Sequence, residues 1–258
     1  MIRDKLRKLG IGFMGEPEPF EKDRSFLVMV HGAGGISRVW QNQMGPLSRT
    51  VNVLALDLPG HGNTPGPGRE HIRDYAEWTI HALESVFERP VFLMGHSMGG
   101  AIILEVAHRR PEIARGIILA STGSRLKVAP AFLEGLRDRF DETVDQMTQY
   151  AYAPGAEPGV VREGANWIKQ AGAPTVIGDF LACDRFDRRN DIDGIRLPCL
   201  IVCGDLDKLA PPALSRSIYE AIAGSTLEMI PDAGHTVMIE NPHAFNGAVQ
   251  EFLREMLP

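Results

Sequence analysis

Cysteine is scarce in this chain: three residues in 258, Cys183, Cys199 and Cys203, with no C-x-x-C spacing. Cys199 and Cys203 share one apolar run, where a strand rise of about 3.3 Å per residue holds them roughly 13 Å apart, beyond the reach of a disulfide. That speaks against a disulfide-stapled secreted scaffold and against a thiolate metal site, and leaves the thiols as apolar filler. Positive charge is also in short supply. With 27 Lys and Arg against 33 Asp and Glu, the formal net charge is −6, so the basic face that a nucleic-acid partner needs is not expected. No apolar run approaches the roughly 20 residues of a membrane span. Nor does one of signal-peptide length follow the basic opening, so a cytoplasmic protein without stable membrane insertion is expected. Internal repeats and low-complexity tracts are missing too. At 44% hydrophobic and 23% charged residues, neither disorder nor a fibre is expected. The length fits one large α/β domain, or one domain carrying an insertion.

What the chain does have is rhythm. Short apolar runs, Phe26-Leu27-Val28-Met29-Val30, Val51 to Leu56, Val91 to Met94, Gly116 to Ala120, Pro198 to Cys203 and Thr226 to Ile230, alternate with helix-like stretches such as 72–87, 212–223 and 242–256. Continuous apolar strands separated by helices predict a mostly parallel central sheet covered by helices on both faces. Most of these runs end in a glycine-rich or polar turn, and in an open parallel sheet that edge is where ligands bind. Between Ser121 and Leu197 the rhythm changes. Amphipathic helices are predicted at 130–151 and 159–170, with breaks at Ala153-Pro154-Gly155 and Ala173-Pro174 and no convincing strand. The expected organisation is a core of residues 1–122 and 196–258 with a helical insertion at 123–195.

The fourth run leads into Gly95-His96-Ser97-Met98-Gly99-Gly100 and then a helix-like stretch. A serine flanked by glycines two positions away, at a strand-to-helix turn, has the form of a nucleophile elbow. With 27 glycines present, a chance match has a prior of roughly one in ten, so context must carry the argument. A dinucleotide-binding turn would need G-x-G-x-x-G, which does not surround Ser97. A serine hydroxyl needs a base, and the base needs an orienting acid. His235 follows the last strand run within Asp232-Ala233-Gly234-His235, at the sheet edge that carries Ser97. Asp205 and Asp207 follow the preceding run. Asp207 is preferred, since it lies three residues past Gly204 and can swing toward His235, whereas Asp205 is suited to capping the turn. His31 and His61 are read as organisers of their loops, His96 as pointing to the far side of the elbow, and Asp57 as tying down its own turn. Two backbone N–H groups must face the developing oxyanion. Met98 follows the nucleophile and Ala33 lies in the glycine-rich loop after the first run, with Gly34 in reserve and also beside the substrate.

These motifs, His31-Gly32, Asp57-Leu58-Pro59-Gly60-His61-Gly62, Gly95 to Gly100, Gly204-Asp205-Leu206-Asp207 with Pro211, and Gly234-His235, stand in an order that resembles the α/β-hydrolase superfamily along essentially the whole chain. The resemblance implies the α/β-hydrolase fold, a Ser97-Asp207-His235 triad, no cofactor, and a helical cap after the sixth strand of the usual count. The hexapeptide around Ser97 is similar to that of monoacylglycerol lipases and small bacterial carboxylesterases. It implies a small-molecule ester substrate with an apolar portion, for which Phe132, Leu136, Trp167, Phe180 and Leu209 are candidate pocket residues. Serine at 97 departs from the aspartate of haloalkane dehalogenases and epoxide hydrolases. His96 and Thr236 depart from the asparagine and tryptophan usual in carbon-carbon hydrolases of ring-cleavage products, which rank second. A ligand-sensing protein on a hydrolase scaffold is a third reading. The usual opening hairpin is not evident in residues 1–24, so the sheet is expected to lack an edge strand or to begin irregularly.

Overall fold

Strands β2 (Phe26–Val30), β3 (Asn52–Leu56), β4 (Val91–His96), β5 (Ala114–Ala120) and β6 (Cys199–Gly204) are the apolar runs of the sequence, and nearly all of their residues are buried. A computed structural model describes residues 2–257. With β1 (Phe13–Glu16) and β7 (Thr226–Ile230), the strands form a seven-stranded sheet in the order β1-β3-β2-β4-β5-β6-β7. Every pairing is parallel except that of β1 with β3.

Eleven helices accompany the sheet among the described residues. They are α1 (Ile2–Lys8), α2 (Gln41–Ser48), α3 (Ile72–Val86), α4 (Met98–Arg109), α5 (Pro130–Asp138), α6 (Phe140–Ala151), α7 (Pro158–Ala171), α8 (Ala173–Arg185), α9 (Pro212–Ala221), α10 (Val237–Glu240) and α11 (Pro242–Met256). The pleat sends alternate residues of each strand into one of two cores. Val28, Val30, Leu54 and Leu56 pack with α3 and α4 residues such as Tyr75, Leu83, Ile102 and Val106. Leu27, Met29, Val53 and Ala55 pack on the other face with Met44, Phe245, Val249 and Leu253 of α2 and α11. Both faces are covered, which is why the central strands read as unbroken apolar runs. Strand β7, at the edge, alternates in burial instead. None of the described helices is long and apolar enough to cross a membrane.

Register brings the site together. Val30 pairs with Leu56 and with Gly95, His96 with Ala120, Ala120 with Val202, and Gly204 with Ile230. The C-terminal tips of six strands are therefore level, and the loops that leave them meet at one edge.

The described residues open with α1 and the single four-residue strand β1, antiparallel to β3, which is the irregular start without a hairpin that residues 1–24 lead one to expect. The structure departs from the sequence reading at two places. The helix expected over 130–151 is two helices, broken where Arg139 leaves helical geometry at φ −145°, ψ 59°. Ala173-Pro174 is a helix start rather than a break. Gly172 sits at φ +80°, and Pro174 occupies the first turn of α8, where its missing N–H is tolerated. Helix α8, unrecognised in the sequence, supplies a residue of consequence below.

Candidate active site

Ser97 joins β4 to α4 with φ 52° and ψ −116°, left-handed backbone that costs a non-glycine residue about 1–3 kcal/mol. The surroundings hold it there: Ser97 N–H donates to Ala120 O at 2.9 Å, and Thr122 Oγ1 donates to Ser97 O at 2.8 Å. Side chains at the flanking glycines would destroy the turn, since a Cβ on Gly95 would lie 2.2 Å from Gly99 O and one on Gly99 would lie 2.3 Å from Val30 O. The N-terminus of the twelve-residue α4 thus starts directly after Ser97, with its unpaired N–H groups and positive dipole end.

His235 lies in the loop after β7. Asp207, in the loop after β6, accepts from His235 Nδ1 at 2.9 Å on Oδ2 and 3.1 Å on Oδ1. Oδ1 also accepts from Leu209 N–H at 2.9 Å and Ala210 N–H at 2.8 Å. Burial alone would push the Asp207 carboxyl up. The His235 ring, its hydrogen bond and the two amides outweigh burial, and the carboxyl stands below the ordinary carboxylate range. Asp205 is exposed, which separates the two candidates. Ser97 and His235 line one cavity of about 950 Å³, and with Nδ1 held by Asp207 the His235 Nε2 is the free ring nitrogen.

The loop after β2 closes against this pair. A Cβ on Gly32 would lie 3.0 Å from His96 Nδ1 and 3.2 Å from Ser97 Cβ, so a side chain there would crowd the approach. Gly35 N–H donates to Gly32 O at 3.0 Å, which closes a four-residue turn with Gly34 at φ +64°. Gly34 departs from its expected role. Its N–H is spent on Asp179 Oδ2 at 2.8 Å, and it does not line the cavity, whereas Ala33 does. Of the pocket candidates, Phe132, Trp167, Phe180 and Leu209 line the cavity. Leu136 does not: it is fully buried with Val144, Ala165 and Val176 in a small core of α5–α8. Met98 has its side chain in the main core, leaving only its backbone toward the elbow.

A model described as the alpha/beta hydrolase family matches residues 27–248. The chain belongs to that family. Among its relatives, the pimeloyl-[acyl-carrier protein] methyl ester esterase of Neisseria meningitidis serogroup C is 27% identical over 240 residues, 87% of this chain and 92% of that protein. A solved thermophilic esterase is 28% identical with a TM-score of 0.82, covering 95% of this chain and 98% of that one. The enol-lactonase from Burkholderia xenovorans LB400 superposes with a TM-score of 0.88 at 23% identity, over 95% of this chain and 96% of that one, and shares the fold.

Other residues of this hydrolase-family site escape sequence reasoning. His96 does not turn away: its ring centroid lies 4.8 Å from that of His235, and its Nε2–H donates to His235 O at 2.9 Å. Burial and the neighbouring His235 push its pKa down to about 3. Glu240 accepts from Gly234 N–H, Thr236 N–H and Thr236 Oγ1 at 3.1, 3.0 and 2.8 Å, and from Ala153 N–H at 2.7 Å. It binds the His235 loop to the end of α6. Its signal in the sequence is a glutamate five residues past His235, a spacing too common to be distinctive. His31 and Asp57 organise loops as their positions suggest: His31 Nε2 accepts from Leu58 N–H at 3.1 Å, while Asp57 accepts from Ser37 and Asn63 N–H at 2.7 and 3.0 Å.

Proposed function

We propose that the chain hydrolyses carboxylic esters through an acyl-enzyme on Ser97, with His235 as the base and Asp207 as the group that orients it. The observation that carries this reading is the buried Asp207–His235 pair, which opens onto the same cavity as a serine held in left-handed backbone at a helix N-terminus. Ser97 Oγ passes its proton to His235 Nε2 and attacks the ester carbonyl. Asp207 fixes the ring with Nδ1–H toward the carboxylate and stabilises the imidazolium that forms. The backbone N–H groups of Met98 and Ala33 take up the oxyanion. Gly34 is excluded from that role because its N–H is already bonded. The imidazolium then protonates the departing alcohol, and His235 activates a water that releases the acid.

Residues 123–195 act as a cap. Phe132, Trp167 and Phe180 from the inserted helices and Leu209 from the core line the space above Ser97, and an apolar acyl or alcohol group of the substrate would occupy it. The esterases among the relatives support this chemistry over carbon-carbon cleavage. The test is turnover of nitrophenyl esters of increasing acyl length by the native protein and by S97A. Loss of at least about 10⁴-fold in kcat in the variant is expected, with an optimum beyond acetate. Unchanged turnover by S97A, or rapid cleavage of a vinylogous diketone with no ester activity, would contradict the proposal.

A further inference from the structure

Asp179 is fully buried in α8, yet it carries a carboxylate. A buried charge is costly unless it is paired and hydrogen-bonded, and this one is met from three segments of the core. Gly34 N–H and His61 Nε2 each lie 2.8 Å from Oδ2, and the Tyr75 hydroxyl lies 2.5 Å from Oδ1. His61 Nδ1 faces Pro59 O at 3.0 Å, so both ring nitrogens face acceptors and the ring carries both protons. Although burial opposes it, the Asp179 charge raises the His61 pKa. Asp179 and His61 thus form an internal ion pair between an inserted helix and the loop after β3.

The third partner is the one that bears on chemistry. The turn Gly32-Ala33-Gly34-Gly35, with φ +64° at Gly34 and the Gly35 N–H to Gly32 O closure, has the form of a type II turn. Its first peptide contains Gly32 O and Ala33 N–H, which point in opposite directions across a trans bond. Gly32 O accepts from His31 Nδ1–H at 2.8 Å as well as from Gly35 N–H at 3.0 Å, so the direction of Ala33 N–H is set from behind. The second peptide contains Gly34 N–H. Types I and II differ by a flip of that central peptide, and among the described residues its N–H donates to Asp179 alone.

We infer that Asp179 is a positioning residue for the reaction at Ser97: from the inserted helix it fixes the Ala33–Gly34 peptide and so anchors the turn, holding in place beside Ser97 the Ala33 N–H whose direction the Gly32 peptide sets. The fit of α8 onto the core and the completeness of the oxyanion hole are then one event. This inference rests on the proposed Ser97 chemistry and deepens it.

The experiment compares the native protein with D179A, D179N and S97A, reading kcat and KM on a nitrophenyl ester and the affinity of a trifluoromethyl ketone, whose adduct with serine carries an oxyanion. D179A removes the acceptor. Its kcat and its ketone affinity are both expected to fall by about 10- to 100-fold, short of the full loss of an oxyanion donor, with KM within about threefold. Asparagine can still accept from Gly34 N–H, so D179N is expected to recover most of that loss. Native kcat and ketone affinity in D179A overturn the inference, as does a fall confined to KM or to thermal stability. If D179A does not accumulate as folded protein, Tyr75→Phe, which frees the Oδ1 side of the carboxylate, is read in the same way. A kcat loss of about 3- to 10-fold is then expected, and an unchanged kcat overturns the inference. Turnover that survives in S97A would instead strike the reading of Ser97 itself.

Discussion

Asp205 and Asp207 sit two residues apart on the same loop, and burial tells them apart. Asp207 is buried against His235 and two backbone amides, while Asp205 faces solvent. Asp207→Asn is expected to lower kcat by about 10⁴-fold, because the amide no longer holds the required histidine tautomer. Asp205→Asn is expected to stay within about twofold, and steady-state kinetics of both variants checks the contrast. Histidines supply the pH dependence. His31 and His96 are buried with pKa values near 3, against an ordinary value near 6.5 in the unfolded chain. Between those limits unfolding takes up a proton at each, so stability is intact above about pH 6.5 and declines as pH falls toward 3. His61 has a raised pKa and acts with the opposite sign: its contribution is full below the unfolded value and is lost as pH climbs through the folded one. Urea unfolding of His96→Gln across this acid range is expected to show a slope reduced by up to about 1.4 kcal/mol per pH unit, one proton's worth. An unchanged slope would contradict a neutral His96. At this scale the Asp207–His235 pairing and the shared cavity of Ser97 and His235 are legible, because each residue lies in a short local motif at a strand tip. His96 and Glu240 are not, since their roles depend on contacts across loops that no spacing encodes.

The inserted helices show where element-level reading succeeds and where it misses. Amphipathic period and the Ala153-Pro154-Gly155 break locate α6 and α7, but proline reads as a terminator at Pro174, where it lies in the first turn of α8. The same residue type has opposite meanings at the two ends of a helix, and only the left-handed Gly172 before it distinguishes them. Missing α8 meant missing Asp179. Leu136 is the complementary case: a large apolar side chain suits the pocket, whereas α5 turns it into the small core shared with Val144, Ala165 and Val176. Leu136→Ala is therefore expected to cost about 2–5 kcal/mol of stability while leaving the ester chain-length profile in place. Trp167→Ala is expected to change that profile, as Trp167 borders the cavity. Thermal melts and the nitrophenyl ester series measure both.

The molecule as a whole follows from register. Parallel strands with level tips deliver the loops after β2, β4, β6 and β7 to one edge, and the alternation of apolar runs with helices made that architecture readable in advance. Charge is distributed less predictably. The chain carries a net −6, yet Arg125, Lys127, Arg189 and Lys208 line the cavity and no carboxylate does among the described residues. Lys127 is held by Asp184, and Arg125 and Arg189 by Asp187, while Lys208 lies 5.5 Å from the Tyr150 ring centroid. For esters matched in size, kcat/KM is expected to be highest with an anionic tail and lowest with a cationic one, a preference that weakens as salt rises. The reverse order would contradict this account of the cavity. The central claim, that Ser97 is the nucleophile of an ester-cleaving site, is tested most directly by titration with diethyl nitrophenyl phosphate followed by peptide mass mapping. One equivalent of nitrophenol is expected to be released, with the diethylphosphoryl group on Ser97 and esterase activity lost in step. Esterase activity that survives complete modification of Ser97, or a label on another residue that alone tracks the inactivation, would contradict it.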